Sequence, residues 1–184
     1  MTPDNTDVVV TVVSTEDLTP ALREAVIDVC IAAHDEADFR NLFSYIPSGG
    51  RHVVAERDGA IVGHAVATTR WLQTEGSPLM RTAFVDAVST LPSMQGTGIG
   101  SAVMRRLAAA IDDYEIGCLN TDKVAFYARL GWELWRGPLA GRTGDGLVPT
   151  PDERDVMILR LPGSPPLDLD ALLTIERQPA RFWN

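Results

Sequence analysis

The sequence predicts an α/β fold of the mixed α+β kind, in which helices flank a mixed, mostly antiparallel central sheet. Runs of β-branched and apolar residues alternate along the chain with segments whose apolar residues recur at helical spacing. The turn Arg57-Asp58-Gly59 joins two of these runs and is typical of a hairpin between antiparallel strands. A glycine-rich turn later connects an apolar run directly to a helical segment, as mixed folds require.

The predicted elements follow the order β-α-β-β-β-α-β-α-β-β. The first strand covers 8–13, and Thr19-Pro20 supplies the N-cap and the first residue of the first helix. A short helix and a loop are expected between His34 and Gly50. The later elements are expected to be hairpin strands 52–56 and 60–68, a strand ending near Ser89, a helix to about Asp113, a strand 116–119, a helix 121–130, and strands 132–135 and 156–161. A long Gly/Pro-rich loop is expected at 137–153, and an apolar tail segment at 167–175.

Length, charge and cysteine usage narrow the possible functions. The 184 residues are expected to form one domain (1–184), and the net charge of −9 argues against nucleic acid as a partner. The same charge would attract a cationic small molecule, or it serves solubility alone. No apolar run suits a bilayer and the N-terminus lacks signal-peptide features, so a cytoplasmic protein without a membrane partner is expected. Cys30 and Cys118 are expected to be buried free thiols, and the scattered histidines imply no metal.

A glycine-rich turn, Gln95-Gly96-Thr97-Gly98-Ile99-Gly100, lies between the apolar strand 83–88 and an amphipathic helix that continues through Ser101. Such a turn lets several backbone N–H groups point at one place, where the positive end of the helix dipole attracts an anion. The pattern favours a phosphate-bearing cofactor. An ordinary connection between a strand and a helix would use the same glycines, so the turn is not decisive alone.

A second motif follows at 120–132, Asn120-Thr121-Asp122-Lys123-Val124-Ala125-Phe126-Tyr127-Ala128-Arg129-Leu130-Gly131-Trp132. Taken with Gln95, Gly98 and Gly100, its residues Asn120, Ala125, Tyr127, Gly131 and Trp132 resemble the paired motifs of the GNAT superfamily of acetyl-CoA-dependent N-acetyltransferases. The resemblance covers about residues 50–135. It implies the GNAT fold, acetyl-CoA as the cofactor and N-acetyl transfer as the activity. A substrate loop and a C-terminal tail would then occupy 137–184.

The resemblance also implies which groups hold coenzyme A. Backbone N–H groups in the glycine turn would bind the pyrophosphate, and the edge of the strand at 88–90 would bind the pantetheine arm, beside a splayed strand at 116–120. The Val88 N–H would donate to the thioester oxygen during transfer. Asn120 is grouped with these residues, with a structural role as the alternative. The expected cofactor-binding residues are Val88, Thr90, Gln95, Gly96, Thr97, Gly98, Ile99, Gly100, Ser101 and Asn120.

Two further residues match catalytic positions of the superfamily. Asp86 stands where many of these enzymes place a general base, directly or through water, because an ammonium substrate must lose a proton before it attacks. A capping or salt-bridged aspartate is the alternative. Tyr127 matches the general acid that protonates the departing thiolate, since a phenol and a thiol have similar pKa values. The alternative for Tyr127 is a core tyrosine.

The flanking sequence resembles one branch of the superfamily, the aminoglycoside 2′-N-acetyltransferases. The similarity lies in the stretch 127–138, in Thr150-Pro151-Asp152 and in a tryptophan near the C-terminus. It implies acetylation of a cationic aminosugar antibiotic at an amine (the 2′-amine), antibiotic resistance and a homodimer. Acidic side chains would bind the ammonium groups, and Trp183 would form an apolar wall. The expected substrate-binding residues are Asp35, Asp38, Asp86, Asp152, Glu153, Arg181 and Trp183. The alternative is that the acids are solvated surface residues, with Asp152 and Glu153 in a simple turn.

Arg181 departs from the pattern of this branch, which carries an acid two residues before its tryptophan. A cation at this position would favour a substrate that bears a carboxylate as well as an amine, and kasugamycin is such an aminosugar. Alternatively, Arg181 points into solvent. Two other functions also stay open: a GNAT enzyme for a different small amine, such as a polyamine or an amino acid, and a non-catalytic acetyl-CoA-binding domain.

Overall fold

The computed structural model describes residues 8–177 and residue 183. Contacts along the chain define two compact units. Unit 1 consists of Met1–Thr68 and Val85–Ala110, and unit 2 consists of Thr69–Phe84 and Ile111–Asn184. Two long strands, β3 (Ala60–Thr74) and β4 (Met80–Thr90), contribute residues to both units. The prediction of a single domain stays a prediction.

Unit 1 combines an antiparallel sheet with the helices that cover it. Its other elements are β1 (Val8–Ser14), α1 (Pro20–His34), a 3₁₀ turn at Ala37–Asn41, α2 (Leu42–Tyr45), β2 (Arg51–Arg57), a 3₁₀ turn at Pro92–Met94, and α3 (Ile99–Ala110). Strand β2 pairs antiparallel with both β1 and β3. The predicted hairpin is confirmed, and Asp58 and Gly59 form its turn with φ values of 52° and 78°. The Thr19 cap is also confirmed, because its hydroxyl oxygen accepts the Leu22 N–H at 3.2 Å.

Unit 2 holds the remaining strands and one short helix. Its further elements are β5 (Ile116–Asn120), α4 (Val124–Ala128), β6 (Glu133–Leu134), β7 (Leu139–Thr143), β8 (Gly146–Pro149), β9 (Val156–Arg160) and β10 (Leu173–Glu176). The parallel ladder of β4 and β5 runs over three residue pairs, from Thr82–Ile116 to Phe84–Cys118. Strand β9 pairs antiparallel with β5 and β6, and β10 pairs antiparallel with β3 and parallel with β7. The predicted mixed, mostly antiparallel sheet is confirmed.

Two element predictions for unit 2 are wrong. The expected loop at 137–153 contains the antiparallel pair β7–β8, and the expected helix at 121–130 is helical only over Val124–Ala128. Strands β7 and β8 are short and glycine-containing, and every β8 residue is exposed, so their sequences lack a strand pattern. In the sequence, Gly137 resembles a loop glycine. The structure requires glycine at this position because of close packing, since a Cβ there would lie 1.9 Å from the Ala171 carbonyl oxygen.

Each unit has its own apolar cluster. In unit 1 the cluster consists of Val26, Cys30, Leu42, Ile46, Val66 and Ala87. In unit 2 it is built around Trp135 and Trp183, with Phe84, Cys118, Leu173 and Ile175 among its members. Cys30 and Cys118 are both buried and free, as predicted. Among the described residues, no helix has the length and apolar character needed to cross a membrane.

Candidate active site

The predicted cofactor turn connects β4 to α3 in unit 1. After Thr90 the chain makes the 3₁₀ turn Pro92–Met94 and enters α3 at Ile99. Gly96 and Gly98 have φ values of 76° and 94°, a region that favours glycine. A Cβ added at Gly96 would meet no atom within 4 Å, so the space beside this backbone is open. The path of the chain therefore favours glycine at positions 96 and 98, and the space beside Gly96 leaves room for a ligand.

The donors of this turn suit a pyrophosphate. The Ala102 N–H donates to the Gly98 carbonyl at 3.0 Å, and N–H groups in the first turn of a helix have no carbonyl of that helix to bond. Two side chains brace the turn, since Gln95 Nε2 donates to the Thr90 carbonyl at 3.2 Å and Thr97 Oγ1 donates to the Met94 carbonyl at 2.6 Å. The segment 88–101 carries no acidic side chain that would repel phosphate. The residues present therefore fit the cofactor that the motif implies.

A residue with left-handed backbone conformation lies within β4, where catalysis was expected. Ala87 has a φ of 51°, which is rare for alanine, and it lies between the candidate base Asp86 and the candidate donor Val88. Asp86 is half-buried, and its Oδ1 accepts the Ala87 N–H at 2.8 Å. The capping role considered for Asp86 is thus present. Sequence patterns treated the segment as a regular strand and missed this feature.

Two histidines that sequence analysis left without a role connect to the Ala87 carbonyl through hydrogen bonds. His64 Nδ1 is 3.0 Å from the Ala87 carbonyl oxygen, and His52 Nδ1 is 3.0 Å from His64 Nε2. Both histidines are fully buried in unit 1. The one sequence signal for them was the presence of histidine within two apolar strand segments.

Tyr127, the candidate general acid, lies in unit 2 on the short helix α4. It is 6% exposed, and its ring stands edge-on to Trp132 with the ring centroids 6.0 Å apart. Burial raises the pKa of Tyr127, and the nearby Asp122 carboxylate raises it further. The phenol therefore keeps its proton across the physiological pH range, as a proton donor requires, although it is a weaker acid than free tyrosine.

A cleft in unit 2 is lined by residues of the late segment that was expected to contact substrate. Its volume is about 390 Å³, within the usual range for small-molecule pockets. The lining consists of Arg136, Gly137, Pro138, Leu139, Pro149, Thr150, Pro151 and Glu153. Glu153 supplies a carboxylate, and its Oε2 accepts the Asn120 side-chain N–H at 3.0 Å. Asn120, expected among the cofactor residues, is thus bonded to a residue of this cleft.

The other expected substrate residues are distributed differently. Asp35 caps the end of α1 and Asp38 lies in the following 3₁₀ turn, both exposed in unit 1, and Asp152 is exposed in unit 2. Trp183 is 0% exposed and its Nε1–H donates to Thr150 Oγ1 at 3.0 Å. Its ring belongs to the core of unit 2, which corrects the expectation of an apolar wall facing a substrate. Arg181 lies outside the described residues.

Comparisons with known proteins identify the kind of domain that carries these motifs. Residues 48–134 match the family model described as acetyltransferase (GNAT) domain. An aminoglycoside 2′-N-acetyltransferase from Mycolicibacterium fortuitum is 29% identical over 177 residues, which cover 93% of this chain and 90% of the relative. Residues 48–134 therefore form a GNAT acetyltransferase domain. The chain is an N-acetyltransferase that contains this domain, and its cofactor is acetyl-CoA.

Solved structures share the fold. The GNAT family N-acetyltransferase YhbS from Escherichia coli, in complex with CoA, has a TM-score of 0.63 at 14% identity and is covered to 89%, with 92% of this chain aligned. Eis1 from Mycobacterium abscessus has a TM-score of 0.59 at 21% identity over 72% of this chain. The chain spans 33% of the length of Eis1. At these identities the likeness shows the fold alone.

Proposed function

We propose that this chain transfers the acetyl group of acetyl-CoA to an amine, the 2′-amine, of an aminoglycoside-type aminosugar and thereby confers antibiotic resistance. The observation that carries this proposal is the similarity to the Mycolicibacterium fortuitum enzyme, which extends well beyond residues 48–134 into the parts expected to bind substrate. The net charge of −9 and the Glu153 carboxylate in the cleft of unit 2 support a cationic substrate.

The proposed reaction is a direct transfer within a ternary complex. Acetyl-CoA supplies an activated acetyl thioester. Asp86 accepts the proton of the substrate ammonium, directly or through water, so that the neutral amine can attack. The Val88 N–H donates to the thioester oxygen as the nitrogen–carbon bond forms and charge develops there. The carbon–sulfur bond then breaks as Tyr127 supplies a proton to the departing sulfur, and the second proton that the nitrogen loses returns to the phenol, directly or through water. The protonated state of Tyr127 supports its role as the proton donor.

The first experiment measures thiol release from acetyl-CoA with kasugamycin, gentamicin, tobramycin, spermidine and a free amino acid. Turnover on the aminosugars supports the proposal, and turnover on spermidine or the amino acid alone refutes it. Mass spectrometry and NMR of the product identify the acetylated amine. Acetyl-CoA binding without turnover on any amine would favour the non-catalytic alternative.

The kasugamycin proposal depends on Arg181 and has its own control. We propose that Arg181 favours the carboxylate of this substrate, so Arg181→Asp should shift relative activity away from kasugamycin and towards gentamicin. An unchanged activity ratio would remove the basis for this substrate. If the wild-type chain acetylates gentamicin and tobramycin but not kasugamycin, the broader proposal stands and the role of Arg181 does not.

A homodimer is part of the same proposal. The sequence allows two roles for the apolar segment 167–175: a contact between subunits, or packing against its own sheet. In the structure, Leu173 and Ile175 are fully buried within unit 2. The buried side chains favour the second use, so the proposed dimer rests on the resemblance to the aminoglycoside enzymes alone. Size-exclusion chromatography with light scattering would give the mass of the protein in solution directly. A monomer at assay concentrations would refute the dimer.

A further inference from the structure

A chain of buried hydrogen bonds crosses unit 1 and ends at Ala87 in strand β4. Thr15 Oγ1 lies 3.1 Å from His52 Nε2, His52 Nδ1 lies 3.0 Å from His64 Nε2, and His64 Nδ1 lies 3.0 Å from the Ala87 carbonyl oxygen. Thr15 is 7% exposed, and both histidines are 0% exposed. We call this set of four residues the histidine chain.

The last acceptor fixes the direction of every bond in the histidine chain. A carbonyl can only accept, so His64 Nδ1 carries a proton. A neutral imidazole has one N–H, which leaves His64 Nε2 to accept from His52 Nδ1. His52 Nε2 must then accept the Thr15 hydroxyl proton. The carbonyls of Pro47 and Gly50, at 3.3 and 3.2 Å from that hydroxyl, are left as its alternative acceptors.

The histidines have the neutral state that this deduction requires. Burial lowers the pKa of His52 to about 4, and the positive charge of Arg23 lowers it further. Burial lowers the pKa of His64 to about 3, with His52 as the next cause and the bond to Ala87 opposing both. Both rings are therefore uncharged near pH 7.

The consequence for Val88 follows from peptide geometry. The Ala87 carbonyl and the Val88 N–H belong to the same peptide unit, which is planar and trans, so they point in opposite directions. His64 holds the carbonyl, and the Val88 N–H therefore points away from His64. Ser89 Oγ also donates to this carbonyl, at 3.2 Å, but it belongs to the same strand and moves with it. A hydrogen bond on the carbonyl also polarises the peptide and strengthens its N–H as a donor.

We propose that His64, held in turn by His52 and Thr15, is a positioning residue that orients the Val88 N–H towards the thioester oxygen. Without this anchor the peptide between Ala87 and Val88 could rotate, because alanine at positive φ is in a disfavoured conformation. The inference rests on the role of Val88 in the proposed function. It does not depend on which amine accepts the acetyl group.

The first test uses the cofactor-free protein. With ¹⁵N-labelled histidine, long-range ¹H–¹⁵N spectra near pH 7 distinguish the two neutral tautomers. We expect both His52 and His64 to carry the proton on Nδ1, with assignments from His52→Gln and His64→Gln. A proton on Nε2 of His64, or a doubly protonated ring, would overturn the directed chain.

The second test compares two amides at position 64. In His64→Asn the side-chain NH₂ can take the place of Nδ1 and keep a donor for the Ala87 carbonyl. In His64→Gln the amide lies at the position of Nε2, so the donor to Ala87 is lost while a partner for His52 remains. We expect kcat to fall up to about 100-fold in His64→Gln and to be largely kept in His64→Asn. The affinity for CoA, which has no thioester oxygen, should be unchanged in both.

Cys30→Ala is the packing control. Its Sγ lies 3.8 Å from His64 Nδ1 and 4.0 Å from the Ala87 carbonyl oxygen. The variant therefore removes a buried atom and a weak S–H donor beside the ring, and it keeps the stronger donor to Ala87, His64 Nδ1. We expect its kcat to match the wild type. Equal losses in His64→Asn and His64→Gln, or an equal loss in Cys30→Ala, would show that position 64 acts through packing alone. The comparison uses whichever amine the wild type acetylates, or acetyl-CoA hydrolysis without amine, so failure of the aminosugar proposal remains distinguishable.

Discussion

The two units bury polar side chains in opposite ways. Unit 1 buries His52 and His64 as neutral groups that hydrogen-bond to each other. Unit 2 buries a charge, because Arg70 is 1% exposed while its Nε donates to Glu176 Oε1 at 2.8 Å and its guanidinium lies over the Phe84 ring. A neutral pair depends on its protonation state, whereas a buried charge depends on the presence of its partner. We therefore expect unit 1 to respond to pH and unit 2 to respond to loss of a carboxylate.

The largest expected effect tests whether unit 1 contains a catalytic charge besides its neutral groups. Asp86→Asn keeps an oxygen that can accept the Ala87 N–H, but it removes the proposed base. We expect kcat to fall by about 10²- to 10³-fold, with little change in melting temperature. Steady-state kinetics and thermal unfolding measure the two quantities. Full activity in Asp86→Asn, with loss only in Asp86→Ala, would assign the carboxylate to capping.

The next effect concerns the buried charge of unit 2. Glu176→Ala removes the carboxylate from Arg70 and keeps the bond from Arg70 Nη2 to the Glu176 backbone carbonyl at 2.7 Å. We expect the free energy of unfolding to fall by about 2–3 kcal/mol, somewhat less than for a fully buried pair because the Glu176 side chain is partly exposed. Arg70→Met removes the buried charge itself and should cost less. Urea titrations compare the variants, and a larger loss in Arg70→Met would contradict this account.

Tyr127 gives a smaller expected effect on activity. Tyr127→Phe keeps the ring against Trp132 and removes the proton donor, so kcat should fall about 10- to 100-fold. Because burial raises the pKa of Tyr127, its ionisation should not limit activity at or below pH 9. A pH–rate profile of the wild type tests this. If a loss of activity near pH 8 disappears in Tyr127→Phe, the phenol has a lower pKa than the structure implies.

The dependence of stability on pH is the signature expected for unit 1. Folding lowers the pKa of His52 from 6.5 to about 4 and the pKa of His64 from 6.5 to about 3. Between pH 6.5 and each lowered pKa, the unfolded chain therefore binds more protons than the folded chain. Their contribution is complete above pH 6.5 and is lost as the pH falls. Each histidine should cost up to about 1.4 kcal/mol per pH unit within its window. Urea titrations from pH 7 to 4.5 should show a shallower slope for His64→Asn, and an unchanged slope would contradict the neutral pair.

What the sequence could predict was set by local conformation. Gly96 and Gly98 occupy positive φ in a single turn, and Thr19-Pro20 starts a helix through contacts within four residues, so both left clear patterns. The histidine chain depends instead on the register of β2 with β3, where His64 pairs with Val54 and His52 with Val66. The same holds for β7, which is stabilised by its parallel neighbour β10. The pairing of β7 with β10 joins distant segments. The turn that predicts the β2–β3 hairpin does not reveal the register shift between Ala55 and Glu56, which decides the residue pairs.

The smallest expected effect tests the outer end of the histidine chain. Thr15→Val keeps the shape of the side chain but removes the hydroxyl that donates to His52 Nε2, so a buried acceptor loses its donor. We expect a loss of about 1 kcal/mol in the free energy of unfolding, and Thr15→Ser should retain most of it. Because two rings separate Thr15 from Ala87, kcat should change less than in His64→Gln. If Thr15→Val leaves the stability unchanged, the hydroxyl bonds the Gly50 or Pro47 carbonyl instead, and the histidine chain begins at His52.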